Sequence, residues 1–173
     1  MRKAEREAQQ VLAEMGISRP PIPVEHIAER LGATLTYEPF EGNVSAMLYR
    51  DGQRTIIGIN ASHARTRRRF SIAHEIGHLR LHPGRPVILD QLVRVNYRDE
   101  NSSLATDQEE IAANAFAAEL LMPEVLVARE VDRHLGLVGA SNVRLIKELA
   151  RTFDVSKDAM GFRLVNLASI TTT

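Results

Sequence analysis

Two histidines and a glutamate in this sequence have the spacing of a hydrolytic metal site. They are His74, Glu75 and His78, within the segment SIAHEIGHLRLH. Residues four apart lie on one face of a helix, so the two imidazoles can approach a single ion together. Glu75 lies beside this pair, where it suits a general base acting on water better than a ligand. The spacing predicts a metal-dependent hydrolase, and the alternative is a solvated helix face.

The helix predicted for this segment gathers its ionisable residues on one side. At about 100° per residue, Ile72, Ile76 and Leu79 fall within a narrow sector that we expect to face the core. Glu75, His82 and the histidine pair fall on a neighbouring sector. The side chains that could carry chemistry are therefore expected to lie together.

A third ligand has to come from another segment, because catalytic zinc sites use three protein ligands. The segment DQEEIAANAFAAELLMP contains Glu109, Glu110 and Glu119. Glu110 shares a helical stripe with Ala113 and Ala117, and small residues beside a carboxylate let two helices approach closely. This favours Glu110 as the ligand. The alternative is an acidic residue that stabilises a helix N-terminus through the helix dipole.

The composition excludes several other kinds of site. The chain has 173 residues, 44% of them hydrophobic, with 22 Lys+Arg, 22 Asp+Glu and no cysteine. The absence of cysteine excludes disulfides, thiol catalysis and cysteine-ligated zinc. The balanced charge argues against broad electrostatic binding of nucleic acid. The charged N-terminus and the lack of a run of about 18 apolar residues predict a cytoplasmic protein without a membrane span.

The hydrophobic pattern predicts an α+β fold. Strand-like alternation covers ATLTYEPF and NVSAMLYRDGQRTIIGIN, and Asp51-Gly52 in the second run predicts a hairpin turn. Within residues 87–106, VIL and LVRV are candidates for further short strands. Helical spacing covers other segments, namely residues 2–15, 24–31, 62–81, 107–121, 123–136, 142–153 and 156–167. We expect a small antiparallel sheet next to the helix pair that carries the metal site.

The C-terminal segment predicts two helices joined by a tight turn at Asp154-Val155, with Ser156 as the N-cap of the second helix, similar to a helix-turn-helix. We therefore divide the chain into a metal-binding domain, residues 1–135, and C-terminal helices, residues 136–173. The last helix has only Lys157 and Arg163 as basic residues, so direct binding of nucleic acid is not expected. The basic run at residues 63–69, HARTRRR, is interpreted as a solvated helix face.

Two segments of the chain, RRFSIAHEIGHLRLH and EEIAANAFAAELLMP, resemble the motifs of the ImmA/IrrE family of zinc-dependent metallopeptidases. Ser71 stands where that family usually has Thr, and Ile57-Gly58-Ile59-Asn60 upstream is also similar. The resemblance covers about residues 20 to 125. Two motifs in the same order are far more specific than either motif alone.

The resemblance implies both a function and a set of site residues. His74, His78 and Glu110 match the family's ligands for one Zn²⁺ per chain, with Mn²⁺ as the alternative metal, and Glu75 matches its catalytic glutamate. The implied fold pairs the HExxH helix with the glutamate-bearing helix in a zincin-like arrangement. The implied substrate is a protein, a helix-turn-helix repressor of the XRE type. Its cleavage would release phage, mobile-element or stress-response genes.

Several features of the predicted site stay open at this level. A donor for the developing oxyanion is needed, and Tyr97, His82 and Tyr49 are the candidates for oxyanion or substrate contact. An exposed strand of the hairpin at residues 44–59 is a candidate for pairing with an extended substrate, and the alternative is that this edge is protected within the sheet. The alternative function is a non-proteolytic anti-repressor or a metal-sensing regulator that acts by binding. The sequence does not determine the oligomeric state.

Overall fold

The computed structural model describes residues 3–83, 87–91, 103–134 and 142–170. These residues form seven helices and four strands, which confirms the predicted α+β class. In chain order they are α1 (Lys3–Glu14), α2 (Val24–Arg30), β1 (Ala33–Glu38), β2 (Val44–Arg50), β3 (Thr55–Asn60), α3 (Arg65–Leu81), β4 (Val87–Gln91), α4 (Ser103–Leu121), α5 (Glu124–Arg133), α6 (Asn142–Phe153) and α7 (Lys157–Ile170).

The sheet is mixed, whereas the sequence predicted an antiparallel one. Its strand order is β1-β3-β2-β4. Strand β2 is antiparallel to β3 and β4, but β1 and β3 are parallel, with Leu35 opposite Ile57. The reason is the connectivity of the strands. Strand β3 returns antiparallel to β2 and lies between β1 and β2, where it runs in the same direction as β1. Both hairpin strands are therefore interior, and the prediction that one of them offers an exposed edge is wrong.

The hairpin between β2 and β3 turns at the predicted position. The Asp51 carboxylate accepts hydrogen bonds from the backbone N–H groups of Gln53, at 3.1 Å, and Arg54, at 2.8 Å. Gly52 has a φ of 84°, a conformation that glycine adopts without a steric penalty. The turn therefore depends on the chemistry of the Asp-Gly pair itself.

Helix α3 lies at the centre of the fold, where it packs against β2 and β3 and against α4. Ile72 and Ile76 are buried in the core as predicted. His74, Glu75 and His78 are buried as well, so the alternative of a solvated helix face is wrong. Helix α3 carries ionisable side chains into the interior, where such groups are stable when they are paired or bind metal.

The basic run at residues 63–69 is the predicted solvated face only in part, because Arg65 is 67% exposed whereas Arg69 is buried. Arg69 is buried, and it donates hydrogen bonds to the carbonyls of Asp154, at 3.1 Å, and Ile22, at 2.8 Å. Arg65 forms an ion pair with Asp154 at 2.8 Å. These side chains hold the linker before α2 and the turn between α6 and α7 against the start of α3.

The C-terminal helices form the predicted pair with a tight turn. Asp154 in the turn has a φ of 54°, and the Ser156 hydroxyl accepts the N–H of Ala159 at 3.1 Å, which is the predicted N-terminal cap. Leu149 and Phe153 of α6 belong to the same buried core as α3 and α4. The two helices therefore pack onto the part of the chain that carries the predicted metal site.

No single helix in the described ranges is long and apolar enough to cross a bilayer. A bent pair of segments, Gln108–Leu121 and Glu124–Arg133, meets the length and composition criteria when both are taken together. Its large apolar side chains, such as Phe116 and Leu120, lie in the core.

A buried ion pair joins α4 to α7. Glu119 and Arg163 form it in the interior, and the Arg163 Nε also donates to the carbonyl of Met122 at 3.0 Å. Glu119 accepts a further hydrogen bond from Gln9 of α1 at 2.9 Å. Arg163 is thus committed to the interior, which leaves the last helix even fewer basic groups for contact with DNA.

We expect Arg163→Met to lower the free energy of unfolding by about 3–5 kcal/mol, because removing one partner of a buried ion pair leaves an uncompensated charge. Arg54→Met is the matched control, since Arg54 pairs with Asp51 at the surface, where such pairs contribute little. The measurement is urea unfolding of both variants and the parent protein. Equal unfolding midpoints for the two variants would contradict the role assigned to the buried pair.

Candidate functional site

Two ring nitrogens and a carboxylate meet between α3 and α4. The Nε2 atoms of His74 and His78 are 3.0 Å apart. The Glu110 carboxylate reaches both of them, with Oε2 at 3.1 Å from His74 Nε2 and Oε1 at 3.2 Å from His78 Nε2. One donor atom from each residue lies within 4.8 Å of the others. The structure therefore brings together the three residues that the sequence proposed as ligands.

These three donors fit a divalent metal ion. Ligand atoms about 2.0–2.1 Å from a tetrahedral zinc ion lie about 3.3 Å from one another, close to the separations of these side chains. A set of three protein ligands leaves a position for water, as hydrolytic sites require. Across the described ranges, no other group of His, Asp and Glu side chains meets the same geometric test.

A glycine allows α3 and α4 to approach closely enough for this convergence. A Cβ atom at Gly77 would lie 3.2 Å from the Cα and the carbonyl oxygen of Ala113 and 3.2 Å from the Phe116 ring. Gly77 immediately precedes His78, and Ala113 is less than one turn beyond Glu110. This close contact of the two helices is therefore next to the candidate ligands, and the stripe of small residues noted in the sequence forms its α4 side.

The charge on Glu110 matches a ligand role. Its side chain is 32% exposed. Burial raises the pKa of Glu110, but hydrogen bonds from His74 and His78, together with their charge, outweigh it and lower the pKa from 4.5 to about 2. Glu110 is therefore ionised at neutral pH, and its negative charge suits a site for a cation between the helices.

Asn114 is a site residue that the sequence reasoning did not single out. Its Oδ1 is 3.0 Å from the Nδ1 of His74, so the amide oxygen accepts the Nδ1–H when Nε2 faces a metal. Asn114 lies one helical turn after Glu110, on the stripe already recognised. The sequence therefore contained a signal for Asn114, because residues four apart on α4 face the same region as Glu110.

Arg50 is a second residue that the sequence reasoning missed. Its Nη2 donates to the carbonyl of His78 at 3.2 Å, so the end of β2 is joined to the last turn of α3. Burial lowers the pKa of Arg50, and the charge of Glu75 acts in the opposite direction. Glu75, which is 0% exposed, therefore lies within electrostatic range of a cation on the sheet. No local pattern marks Arg50, because this contact depends on how the strand packs.

Two of the three oxyanion candidates, His82 and Tyr49, lie within the described residues. His82 ends α3, with its Nδ1 at 3.1 Å from the Nδ1 of His78. Tyr49 is on β2 next to Arg50, and alternation along a strand directs neighbouring side chains to opposite faces. Since Arg50 contacts α3, Tyr49 faces away from that helix. Tyr97 lies outside the described residues and stays a prediction.

Comparison with protein families matches residues 28–165 to a peptidase family described as the IrrE N-terminal-like domain. Two curated proteins are also similar. The radiation response metalloprotease IrrE of Deinococcus radiodurans is 32% identical over 114 residues, which cover 66% of this chain and 32% of that protein. Uncharacterized immunity region protein 2 of Bacillus phage phi105 is 33% identical over 81 residues, 46% of this chain and 45% of that protein. The chain spans less than half the length of both relatives.

Among solved structures, a Mycobacterium tuberculosis transcriptional regulator has a similar fold. The TM-score is 0.62 at 16% sequence identity, and the match covers 95% of this chain and 47% of the regulator. A likeness at this level of identity concerns the fold and not the activity.

We expect Gly77→Ala to weaken both folding and metal binding, because the added methyl group would push the α4 backbone, and Glu110 with it, away from the histidines. The cost of overpacking, about 1–3 kcal/mol, exceeds the gain of about 1 kcal/mol from replacing glycine by alanine in a helix. The measurements are the unfolding free energy and the zinc dissociation constant.

Gly161→Ala is the control for this substitution. Gly161 also lies in a helix, but a Cβ atom there would meet only the Ile146 Cδ1, at 3.9 Å, an ordinary contact. This variant should be at least as stable as the parent and bind zinc equally well. If Gly77→Ala behaved like Gly161→Ala in both measurements, the close helix contact would not determine the site.

Proposed function

The chain belongs to the ImmA/IrrE family of metallopeptidases, and we propose that it is a zinc-dependent endopeptidase that cleaves a helix-turn-helix repressor of the XRE type. The family match supports peptidase activity. The observation that carries the proposal is the convergence of His74, His78 and Glu110, with Glu75 buried on the same helix as the two histidines. We assign zinc as the metal because two imidazoles and one carboxylate suit it better than manganese, which prefers oxygen ligands.

In this proposal three residues hold the metal and a fourth handles the proton. His74 and His78 of α3 and Glu110 of α4 are the ligands, and the two helices form a zincin-like pair. When bound, zinc polarises the scissile carbonyl and lowers the pKa of a water molecule. Glu75 accepts the proton of the attacking water as the C–O bond forms. It then gives that proton to the amide nitrogen as the C–N bond breaks, so that an acid and an amine leave.

The surroundings of Glu75 suit this role. The side chain is withdrawn from bulk water, and electrostatic interactions are stronger in such an environment than in solution. Arg50 provides a nearby positive charge and is anchored on the His78 carbonyl. We propose that Arg50 keeps the strand and the end of α3 in register around the base. For the oxyanion or substrate contact, Tyr97 and His82 stay candidates, since Tyr49 faces away from α3.

The proposed substrate follows from the relatives and from the resemblance of the motifs. One relative is named as a radiation response metalloprotease and the other as a phage immunity region protein. Both names are consistent with a protein substrate that controls phage or stress-response genes. We propose that residues 1–135 carry out the cleavage and that the helices in residues 136–173 contribute to substrate contact. The shared core supports their acting as one unit.

We expect Glu75→Gln to retain zinc but to lose cleavage by about 10²–10⁴-fold, because the ligands stay in place and only the proton acceptor is removed. The measurement is gel analysis of a candidate XRE-type repressor, incubated with each variant, with and without a chelator. Fragments formed at the parental rate by Glu75→Gln would refute the assigned role. Loss of repressor binding to DNA without fragments would support the alternative of an anti-repressor that acts by binding.

We expect Glu110→Ala to weaken zinc binding by more than about 100-fold. Removing a group that only hydrogen-bonds to a metal ligand already lowers metal affinity by about 10–100-fold, and removing a ligand itself should cost more. Glu109→Ala is the matched control, because it removes the same charge from the adjacent position of α4. Elemental analysis after dialysis and competition with a chromogenic chelator are the measurements. Equal zinc content in the two variants would exclude Glu110 from the site.

A further inference from the structure

His82 lies at the end of α3 with its ring against that of His78. The two Nδ1 atoms are 3.1 Å apart, and the ring centroids are separated by 5.3 Å. The backbone N–H of His82 donates to the carbonyl of His78 at 3.0 Å, and Arg50 donates to the same carbonyl at 3.2 Å. The last turn of α3 is thus anchored to β2, which fixes the place from which the His82 ring extends.

The positions of the ring protons determine which of the two histidines donates this hydrogen bond. The Nε2 of His78 faces Glu110 and His74, so in the metal-bound form it carries a lone pair and no proton. A neutral imidazole with a bare Nε2 has its proton on Nδ1. The Nδ1–H of His78 is therefore the donor, and the Nδ1 of His82 is the acceptor.

We propose that His82 is a positioning residue that holds the ring of His78 in its metal-binding orientation. The inference rests on the proposed metal site. It gives His82 a role that acts through His78, in place of the substrate or oxyanion contact considered from the sequence. A hydrogen bond at the far nitrogen fixes the ring orientation and tautomer of a metal-binding histidine and increases its basicity.

The two ligand histidines then have equivalent supports from different elements. His74 is held by the amide of Asn114 on α4, and His78 is held by an imidazole of its own helix. Each ring is fixed at Nδ1 and directs Nε2 towards the same region. Both ligands are therefore oriented before a metal arrives, which lowers the conformational entropy lost on binding.

His134 shows that a histidine at a helix end does not have this geometry by default. It follows the last residue of α5 as His82 follows the last residue of α3. Its ring donates to the carbonyl of Glu130 in its own helix at 2.7 Å, and it is not part of the metal-binding group. His134 therefore provides a matched control for substitutions at His82.

The test compares zinc dissociation constants of the full chain, measured by competition with a chromogenic chelator. His82→Leu should weaken zinc binding by about 10–100-fold, the loss typical of an outer-shell partner. His82→Asn offers an amide oxygen near the position of the lost nitrogen and should restore most of the affinity. His134→Leu should bind zinc as the parent does.

Nuclear magnetic resonance of the zinc-loaded parent protein tests the same hydrogen bond without any substitution. Nitrogen-15 labelling of the histidines should reveal a protected Nδ1–H on His78 and a through-hydrogen-bond coupling between the Nδ1 atoms of His78 and His82. A His78 Nδ1–H that exchanges freely with water, without such a coupling, would overturn the proposal. This measurement decides the matter even if His82→Leu does not fold.

The outcomes separate this inference from the proposed function. If the parent chain binds zinc and cleaves substrate while His82→Leu binds zinc within about threefold of the parent, His82 is not a positioning residue and the metal site stands. If the parent binds no zinc, the proposed function fails and the inference fails with it. An affinity of His82→Asn as low as that of His82→Leu would also count against a hydrogen-bond role.

Discussion

The candidate metal site depends on the close contact between α3 and α4. Gly77 has no side chain, and a Cβ atom in its place would lie 3.2 Å from the backbone of Ala113. The contact is next to the donors, because Gly77 precedes His78 in the chain and Glu110 is on the neighbouring turn of α4. With the helices farther apart, the Glu110 carboxylate would not reach His74 and His78. The two buried imidazoles would then lack both a third candidate ligand and the carboxylate that pairs with them.

Buried polar groups are costly unless other groups satisfy them, and the elements around α3 supply those groups. Glu110 and Asn114 come from α4, and Arg50 comes from β2. At the other end of the helix, Arg69 holds the linker before α2 and the turn between α6 and α7. Helix α3 is thus tied at one end to the sheet and at the other end to the C-terminal helices. The same contacts that stabilise the fold keep the ligand-bearing turn in place.

The convergence of the three candidate ligands follows in large part from patterns in the sequence. The spacing of His74 and His78 requires both rings to point one way if the segment is a helix, and a stripe of small residues favoured Glu110 over Glu109 and Glu119. The predictions that were wrong concern contacts between segments that are distant in the sequence. The sheet is mixed because β3 inserts next to β1, and Arg69 of the basic run is buried because it reaches carbonyls far away in the chain.

The sequence by itself determined the elements and the chemistry they carry: the helix with HExxH spacing, the Asp51-Gly52 hairpin, the cap at Ser156 and the absence of thiol ligands. These follow from short-range geometry, since backbone hydrogen bonds and turn conformations involve residues a few positions apart. Only the tertiary structure decided that Arg50 meets the last turn of α3 and that Tyr49 faces away from that helix. Such contacts join residues distant in the chain, and they are set by how whole helices and strands pack, which no local pattern encodes.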